Sequence, residues 1–228
     1  MRIIICLLIT AIQFHTAFGN SETMLSETLN RYIETSLNQT DSIPENRRQI
    51  LDQIAKTIKK QQQKNQPINL NFICTHNSRR SHLSQIWAQT AAAYFGIERI
   101  YAYSGGTEST AFNPRAVAAI QRAGFQVEKT TASSNPVYHT RFSTQHPPLT
   151  NFSKVFDQAP NPSEGFIAVM TCDDADKKCP AVFGSDARIA LTYKDPKAFD
   201  GTDRETLAYD ERCRQISREQ LYIFQQLQ

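Results

Sequence analysis

The sequence has little of several features that would place a protein in a class. Only 5 of its 228 residues are cysteine, too few and too unevenly spaced for a disulfide scaffold. With 8 glycines, 10 prolines and 40% hydrophobic residues, the chain is neither collagen-like nor disordered. Its 25 basic and 22 acidic side chains leave a net charge of +3, too small to indicate nucleic-acid binding. A globular protein remains, whose few cysteines are expected to serve chemistry.

Long hydrophobic runs are also missing, apart from one at the N-terminus. Met1 and Arg2 precede the mostly apolar residues 3–14, and Ala17-Phe18-Gly19 follows. This order is typical of a secretory signal peptide, and the run is shorter than the roughly 20 residues that span a bilayer. We therefore expect residues 1–19 to be a signal peptide, and the mature protein to be periplasmic or secreted and not in the membrane. The alternative is a start at Met24, which predicts a cytoplasmic protein.

Hydrophobic spacing divides the rest of the chain into two parts. Residues 20–67 are predicted to be a helical N-terminal appendage, with Ile50, Ile54 and Ile58 four apart on one helix face. From residue 68 strand and helix patterns alternate, which predicts one α/β domain over residues 68–228. Its expected strands are 68–73, 100–104, 152–156, 166–170 and 188–192. Residues 129–151 are expected to be irregular, and a capping box at Thr202 is expected to start a long terminal helix.

A polar loop after the first strand carries the clearest chemistry. Cys74 ends the strand, five residues follow, and Arg80 opens a helix. Converging amide N–H groups, the positive end of the helix dipole and the Arg80 guanidinium together form a cradle for an oxyanion. The same field favours a thiolate, so Cys74 is the predicted nucleophile. The predicted oxyanion-binding residues are Thr75, His76, Asn77, Ser78, Arg79, Arg80 and Ser81.

These loop residues are expected to differ in their roles. Ser81 would donate a hydrogen bond to the sulfur of Cys74, and Asn77 would brace the loop. The side chain of Arg79 is expected to face solvent, and that of His76 either contacts the ligand or braces the backbone. The alternative for the whole motif is a buried cysteine beside a surface arginine. Its position between a strand and a helix favours the oxyanion site.

A second pair of cysteines, Cys172 and Cys179, follows a predicted strand. The residues between them are polar, so we expect an exposed loop. One interpretation is half of a zinc site, although no second ligand pair is present and no metal is predicted. Another is an inert disulfide. The third is a redox relay, in which Cys172 attacks an adduct on Cys74 and Cys179 resolves the resulting disulfide.

One carboxylate is placed where it can join this site. Asp195-Pro196 follows the last predicted strand, at the sheet edge where open α/β proteins hold their ligands. A carboxyl group there can protonate a leaving oxygen as a general acid. The alternative is an ordinary Asp-Pro turn.

Several strings of the sequence together resemble a known family. They are Cys74 to Ser81, Tyr103 to Thr107, Phe112 to Ala116, Cys172 to Pro180, and Asp195-Pro196. They look like the low-molecular-weight protein tyrosine phosphatase superfamily and, more narrowly, the thioredoxin-coupled arsenate reductases built on that fold. The resemblance covers roughly residues 68–226, and the joint occurrence of the strings is more specific than any one of them.

The resemblance implies a three-layer α/β fold with a four-stranded parallel sheet flanked by helices. It implies Cys74 as nucleophile, Arg80 with the loop amides as oxyanion binder, Ser81 as thiolate stabiliser and Asp195 as general acid. The spacing of Cys172 and Cys179 is similar to that of the reductase relay. It implies a thioredoxin-like reductant as partner and a small oxyanion as substrate, with no cofactor.

Two departures from the family pattern bear on the substrate. The phosphatase branch follows its Asp-Pro with a pair of tyrosines, whereas this chain has Lys197 and Ala198. This difference weakens the phosphotyrosine interpretation. Gln85 stands where some reductases carry the glutamate of a cation site, so no potassium site is predicted.

The sequence is therefore compatible with three functions. The first is an arsenate reductase using Cys74, Cys172 and Cys179, and the second is a phosphomonoester hydrolase that forms a phosphocysteine on Cys74. The third is a non-catalytic oxyanion-binding or redox-sensing module. Arsenate and phosphate are near-isosteric, so the first two differ in whether a second thiol reaches the adduct. A relay that ends in thioredoxin needs a reducing compartment, which conflicts with the predicted signal peptide.

Overall fold

The computed structural model of the protein describes residues 25–179 and 181–228. The predicted signal peptide and Met24 lie outside the described residues. The helices are α1 Glu27–Leu37, α2 Glu45–Gln62, α3 Arg80–Tyr94, α4 Pro114–Arg122, α5 Asp173–Lys178 and α6 Glu205–Gln225. The strands are β1 Ile68–Cys74, β2 Ile100–Gly106, β3 Gln126–Lys129, β4 Tyr138–Arg141, β5 Leu149–Asn151, β6 Phe166–Met170 and β7 Ser185–Ala190.

The main sheet has four parallel strands in the order β2-β1-β6-β7, which confirms the predicted fold class. Strands β1 and β6 lie in its centre and are almost entirely buried, which fits the continuous apolar sequence of β6. In β1 the buried Asn71 donates a hydrogen bond to the carbonyl of Phe156 at 2.9 Å. In the β1–β2 ladder Cys74 is the register partner of Gly106. Because parallel strands end at the same edge, the loop after Cys74 lies at the carboxyl edge of the sheet.

The segment expected to be irregular contains a second sheet. Strands β3, β4 and β5 form three antiparallel strands of three or four residues each, so the prediction for residues 129–151 was wrong. Strands this short give almost no alternation to detect. The strand predicted at 152–156 was also wrong, because these residues form only an isolated bridge between Val155 and Gly106.

The terminal helix α6 begins at Glu205 and not at the predicted capping box. The residue before it, Arg204, makes no side-chain cap. The carboxylate of Glu205 instead accepts a hydrogen bond from the amide of Gly201 at 2.6 Å and pairs with Arg115 at 2.8 Å. The acidic side chain is therefore used to close the preceding turn. Further along α6, Cys213 is fully buried and accepts a hydrogen bond from Trp87 at 3.3 Å.

The two N-terminal helices are part of the same hydrophobic core as the α/β domain. Tyr32 of α1 stacks on Trp87 of α3 with ring centroids 5.3 Å apart, and Phe125 meets the same indole edge-on at 5.0 Å. Such pairs contribute about 0.5–1.5 kcal/mol each beyond their buried area. The backbone of Leu29 approaches Gly124 so closely that a Cβ there would lie 2.6 Å from the Leu29 nitrogen.

A buried ion pair connects α2 to α6. Arg47 donates to both carboxylate oxygens of Glu219, at 3.1 and 2.8 Å, and its third nitrogen donates to the carbonyl of Thr192 at 3.0 Å. The side chain of Glu219 is only 2% exposed. Within the described ranges, no helix is long and apolar enough to cross a bilayer.

This ion pair leads to a prediction about stability. Arg47→Ala leaves a buried carboxylate without its charge partner, and we expect the free energy of unfolding to fall by about 3 kcal/mol. The matched control is Arg31→Ala, which breaks the exposed Arg31–Glu27 pair and is expected to cost less than about 0.5 kcal/mol. Urea denaturation of both variants measures the difference. Equal losses would show that α2 is not held by this pair.

Candidate active site

The loop between β1 and α3 turns its carbonyl oxygens away from its own centre. Four of them accept hydrogen bonds from neighbouring segments: Cys74 from Thr107 (3.0 Å), Thr75 from Glu108 (2.8 Å), His76 from Ser153 (2.9 Å) and Ser78 from Asn113 (2.8 Å). A trans peptide places its N–H opposite its C=O, so the amides of the following residues point into the loop. None of these amides has an acceptor among the residues that the structure describes. The loop is therefore a ring of unused donors.

Two backbone features allow this conformation. Asn77 has a φ of 42°, the left-handed region that asparagine tolerates better than most residues. Gly106 lies directly against the loop, where an added Cβ would be 2.7 Å from both the Asn77 nitrogen and the Thr75 oxygen. Gly106 at the end of β2 therefore provides the space that the loop occupies, whereas Gly105 makes room for the backbone of Phe156.

A chain of side chains under the loop orients a donor towards Cys74. The amide nitrogen of Asn77 donates to the Ser81 hydroxyl at 2.9 Å, and that hydroxyl lies 3.1 Å from the sulfur of Cys74. Because the hydroxyl oxygen already accepts a hydrogen bond, its own hydrogen is free to point at the sulfur. The carbonyl oxygen of the Asn77 side chain accepts from the backbone of Lys154 at 3.0 Å, which fixes the amide orientation. Asn77 thus braces both the loop and Ser81.

Asp195 lies against the two arginines of the loop. Arg79 donates to both of its carboxylate oxygens, at 2.8 and 3.2 Å, and Arg80 donates to one of them at 2.9 Å. The expectation that Arg79 faces solvent was wrong, because its side chain is 10% exposed and paired with this carboxylate. Burial alone would raise the pKa of Asp195, but the charges of Arg80 and Arg79 outweigh it and lower the pKa below its usual value.

The two terminal nitrogens of the Arg80 guanidinium have hydrogen-bond partners, whereas its Nε atom has none among the described residues. Besides Asp195, its guanidinium donates to the carbonyl of Tyr193 at 2.9 Å. Its Nε atom is buried and has no hydrogen-bond partner within the described part of the chain. The ring of Tyr193 in turn lies under the guanidinium of Arg47, 4.7 Å away. Helix α2 therefore supports the position of the predicted oxyanion-binding arginine.

The side chains of Thr75, His76 and Ser78 make their contacts outside the ring of amides. Ser78 donates its hydroxyl to the carbonyl of Ala111 at 2.7 Å. His76 is half exposed, and its Nε2 lies 3.9 Å from the carboxylate of Glu108. The hydroxyl of Thr75 faces Cys172, with 3.4 Å between oxygen and sulfur. The loop therefore offers mainly backbone donors, and Arg80 is the charged side chain whose Nε lacks a partner.

The segment between Cys172 and Cys179 is ordered and not the exposed loop that was predicted. Residues Asp173–Lys178 form helix α5, and Cys172 is its N-cap and is fully buried. The amide of Ala175 donates to the Cys172 sulfur at 3.4 Å. Acidic residues in the first turn explain the helix, since carboxylates there complement the helix dipole.

The three predicted reactive cysteines lie in one place. Cys74 and Cys172 belong to the same hydrophobic cluster, and the half-buried Cys179 packs against it. All three are free thiols. Arg188 holds the end of α5, donating to the Asp176 carboxylate at 2.5 Å and to the Cys179 carbonyl at 2.9 Å. No group of three or more acidic, histidine or cysteine side chains in the described residues is arranged to hold a metal ion.

A layer of buried polar side chains lies beneath the loop and was not predicted from the sequence. Lys154 is 4% exposed, and burial lowers the pKa of its amine to about 8. His82 is fully buried on the ring of Phe112, and burial, together with the nearby Lys154 charge, lowers its pKa well below the usual value. Gln85 accepts from the Ser104 hydroxyl at 2.7 Å. Nothing in the sequence marks Lys154 as buried, because lysine is nearly always exposed.

Comparison with known proteins agrees with this geometry. The family model for "Low molecular weight phosphotyrosine protein phosphatase" matches residues 69–141, which include the Cys74 loop. The chain is 29% identical to an arsenate reductase of Bacillus subtilis over 143 residues, covering 63% of this chain and 84% of that protein. It is 29% identical to an arsenate reductase of Bacillus licheniformis over 154 residues, covering 67% and 91%.

Solved structures with a similar course of the chain include a mutant of YwlE from Bacillus subtilis. It is 15% identical with a TM-score of 0.49, covering 70% of this chain and 98% of that one. An arsenate reductase in the phosphate binding state is 17% identical with a TM-score of 0.46, covering 71% and 99%. Through the family model matched over residues 69–141, the chain is similar to the low-molecular-weight protein tyrosine phosphatase superfamily, and its sequence is similar to arsenate reductases of Bacillus.

Proposed function

We propose that this protein is an arsenate reductase. The observation that carries the proposal is the clustering of Cys74, Cys172 and Cys179 beside a ring of inward-pointing amides. The amides and Arg80 bind a tetrahedral oxyanion, and the hydroxyl of Ser81 stabilises the Cys74 thiolate. A hydrolase needs only the first thiol. A reductase needs two further thiols. This need accounts for a polar segment that buries Cys172 next to Thr75 and leaves Cys179 half-buried at its other end.

The proposed reaction moves two electrons from thiols to arsenic. The Cys74 thiolate displaces a hydroxyl of arsenate and forms a sulfur–arsenic(V) bond. The Cys172 thiolate then attacks the Cys74 sulfur, and arsenic leaves with the bonding electron pair as arsenite, arsenic(III). Cys179 attacks the Cys172 sulfur of this disulfide and releases Cys74 as a thiolate. The products are arsenite and a Cys172–Cys179 disulfide, which an external dithiol of the thioredoxin type reduces.

Closing the second disulfide requires α5 to unwind. Cys172 and Cys179 flank a helix, and seven residues at 1.5 Å rise separate their Cα atoms by about 10 Å. A disulfide holds two Cα atoms within about 7 Å of each other. Six residues are too few for a helix to be stable by itself in water. The contacts of Arg188 with Asp176 and Cys179 are then the restraint that is released during the reaction.

The compartment is part of the proposal. A start at Met24 puts the protein in the cytoplasm, where thioredoxin keeps dithiols reduced. If residues 1–19 are a signal peptide, the reductant is an exported dithiol protein instead. Mass spectrometry of the N-terminus of the protein isolated from its host distinguishes the two.

The first prediction concerns the reactivity of Cys74. Ser81→Ala removes the hydroxyl next to the sulfur, and hydrogen bonds to charged groups contribute about 1.5–3 kcal/mol. We expect the rate of Cys74 alkylation by iodoacetamide at pH 6 to fall by about tenfold or more. The control is Ser84→Ala on the same helix, whose hydroxyl donates to the carbonyl of Arg80 at 2.9 Å. An unchanged rate in Ser81→Ala would remove Ser81 from the site.

The second prediction concerns the relay. Without reductant, the wild type is expected to form one arsenite per molecule and to lose two thiols. Cys172→Ser is expected to form no arsenite, whereas Cys179→Ser is expected to form one and stop at a Cys74–Cys172 disulfide, identified by peptide mass mapping. Cys213→Ser is the control, because burial raises the pKa of that thiol to about 11 and it lies in a different cluster. Arsenate turnover by Cys172→Ser at the wild-type rate would contradict the proposal.

A further inference from the structure

Every hydrogen-bonding position of the Asp195 carboxylate is occupied. An ionised carboxylate has about four lone-pair sites on its two oxygens. Arg79 Nε and the amide of Lys197 donate to Oδ1, at 2.8 and 3.1 Å. A second nitrogen of Arg79 and one of Arg80 donate to Oδ2, at 3.2 and 2.9 Å. A proton on either oxygen would displace one of these donors.

The two arginines differ in what a bound ligand does to them. Arg80 opens α3 at the loop and has an unused buried donor, so an oxyanion competes with Asp195 for its guanidinium. Arg79 contacts both oxygens of Asp195 through a fork, and its backbone alone belongs to the ring of amides. Arg79 therefore remains on the carboxylate when Arg80 turns to the ligand.

The protonation of Asp195 matters for one class of substrate and not for the other. When a thiolate attacks a phosphate ester, the bond between phosphorus and the ester oxygen breaks. That oxygen carries an alkyl or aryl group, so it leaves as an alkoxide or phenoxide unless an acid protonates it. When a thiolate attacks arsenate, the leaving oxygen is a hydroxyl. The arsenate monoanion carries two protons, enough for that oxygen to depart as water.

We propose that Arg79 is a positioning residue that sets substrate specificity: its fork keeps Asp195 a carboxylate, so the site processes free oxyanions and cleaves esters poorly. This inference rests on the proposed function, since it assumes that Cys74 attacks an oxyanion bound in the loop. Arg79 does not touch the reacting atoms in this role. It acts through Asp195, which stays next to Arg80 as a fixed negative charge.

The test compares esters whose leaving groups differ in their need for an acid. In Arg79→Ala, kcat/KM for phenyl phosphate is expected to rise by about tenfold or more over the wild type. With 4-nitrophenyl phosphate, whose leaving group departs without a proton, the expected rise is less than about threefold. Phenyl phosphate hydrolysis by Arg79→Ala is also expected to fall with rising pH as Asp195 loses its proton, whereas the wild type shows no such limb. Adding Asp195→Asn to Arg79→Ala is expected to abolish the gain.

Two further variants separate charge from folding. Arg79→Gln keeps a neutral side chain of similar reach in place, and it is expected to show a smaller gain than Arg79→Ala. Arg79→Lys keeps the positive charge but loses the fork, so its gain is expected to be smaller than that of Arg79→Ala. Thermal melting of each variant identifies those that are folded. If folded Arg79→Ala and Arg79→Gln hydrolyse phenyl phosphate at the wild-type rate, or if the gain survives Asp195→Asn, the proposal is overturned.

Arsenite formation is measured separately from ester hydrolysis. If the wild type forms no arsenite but Arg79→Ala shows the Asp195-dependent gain, the proposed function fails and the role of Arg79 is supported. If the wild type forms arsenite and no gain appears in the folded variants, the proposed function stands and the role of Arg79 is overturned.

Discussion

The site depends on how the peptides between Cys74 and Arg80 are oriented. Neighbouring segments donate to four carbonyl oxygens of this loop, so the amides that follow them point inward and have no acceptor in the part of the chain that the structure describes. Unused amide donors are costly to bury, so the conformation needs support from outside. Thr107, Glu108, Asn113 and Ser153 give that support by donating to the loop carbonyls. The thiolate and the oxyanion are both stabilised by donors that the fold has already oriented. Little reorganisation is then needed when negative charge arrives.

The charged side chains around the loop also favour an anionic ligand. Asp195 is balanced by two arginines, and Lys154, whose backbone amide donates to Asn77 of the loop, is buried with no carboxylate paired to its amine in the described part of the chain. A buried amine near the loop adds positive potential to that of the amides and the α3 dipole. Its nearness also disfavours a charged His82, whose ring packs on Phe112 as a neutral group. The centre is therefore electropositive towards a ligand, while the carboxylate of Asp195 is already paired with Arg79 and Arg80.

Sequence patterns were sufficient for the parts of the molecule that follow from local rules. The parallel strands, the helix opening at Arg80 and the loop between them were predictable, because apolar runs and a cysteine at the end of a strand indicate the local backbone directly. The partner of Arg79 was not predictable, since Asp195 lies more than a hundred residues away and either arginine of the pair could have faced solvent. The burial of Cys172 was equally hidden: its polar neighbours indicate an exposed loop, and only the tertiary fold turns that side chain inward. The short strands β3 to β5 carry too few residues for a period to emerge.

Helices α1 and α2 precede the part of the chain that resembles the superfamily, and they cover one face of that part. A domain that starts at β1 would leave one face of α3 and α6 with large apolar side chains such as Trp87 at the surface. In this chain Tyr32 covers Trp87, and Arg47 reaches across to Glu219 and lies on the ring of Tyr193. The carbonyl of Tyr193 accepts a hydrogen bond from Arg80. Disorder in α2 would therefore affect the oxyanion site through two contacts, Arg47 with Tyr193 and Tyr193 with Arg80. Helix α2 is thus connected to Arg80 through Arg47 and Tyr193, and the position of Arg80 depends on residues that the matched family segment does not contain.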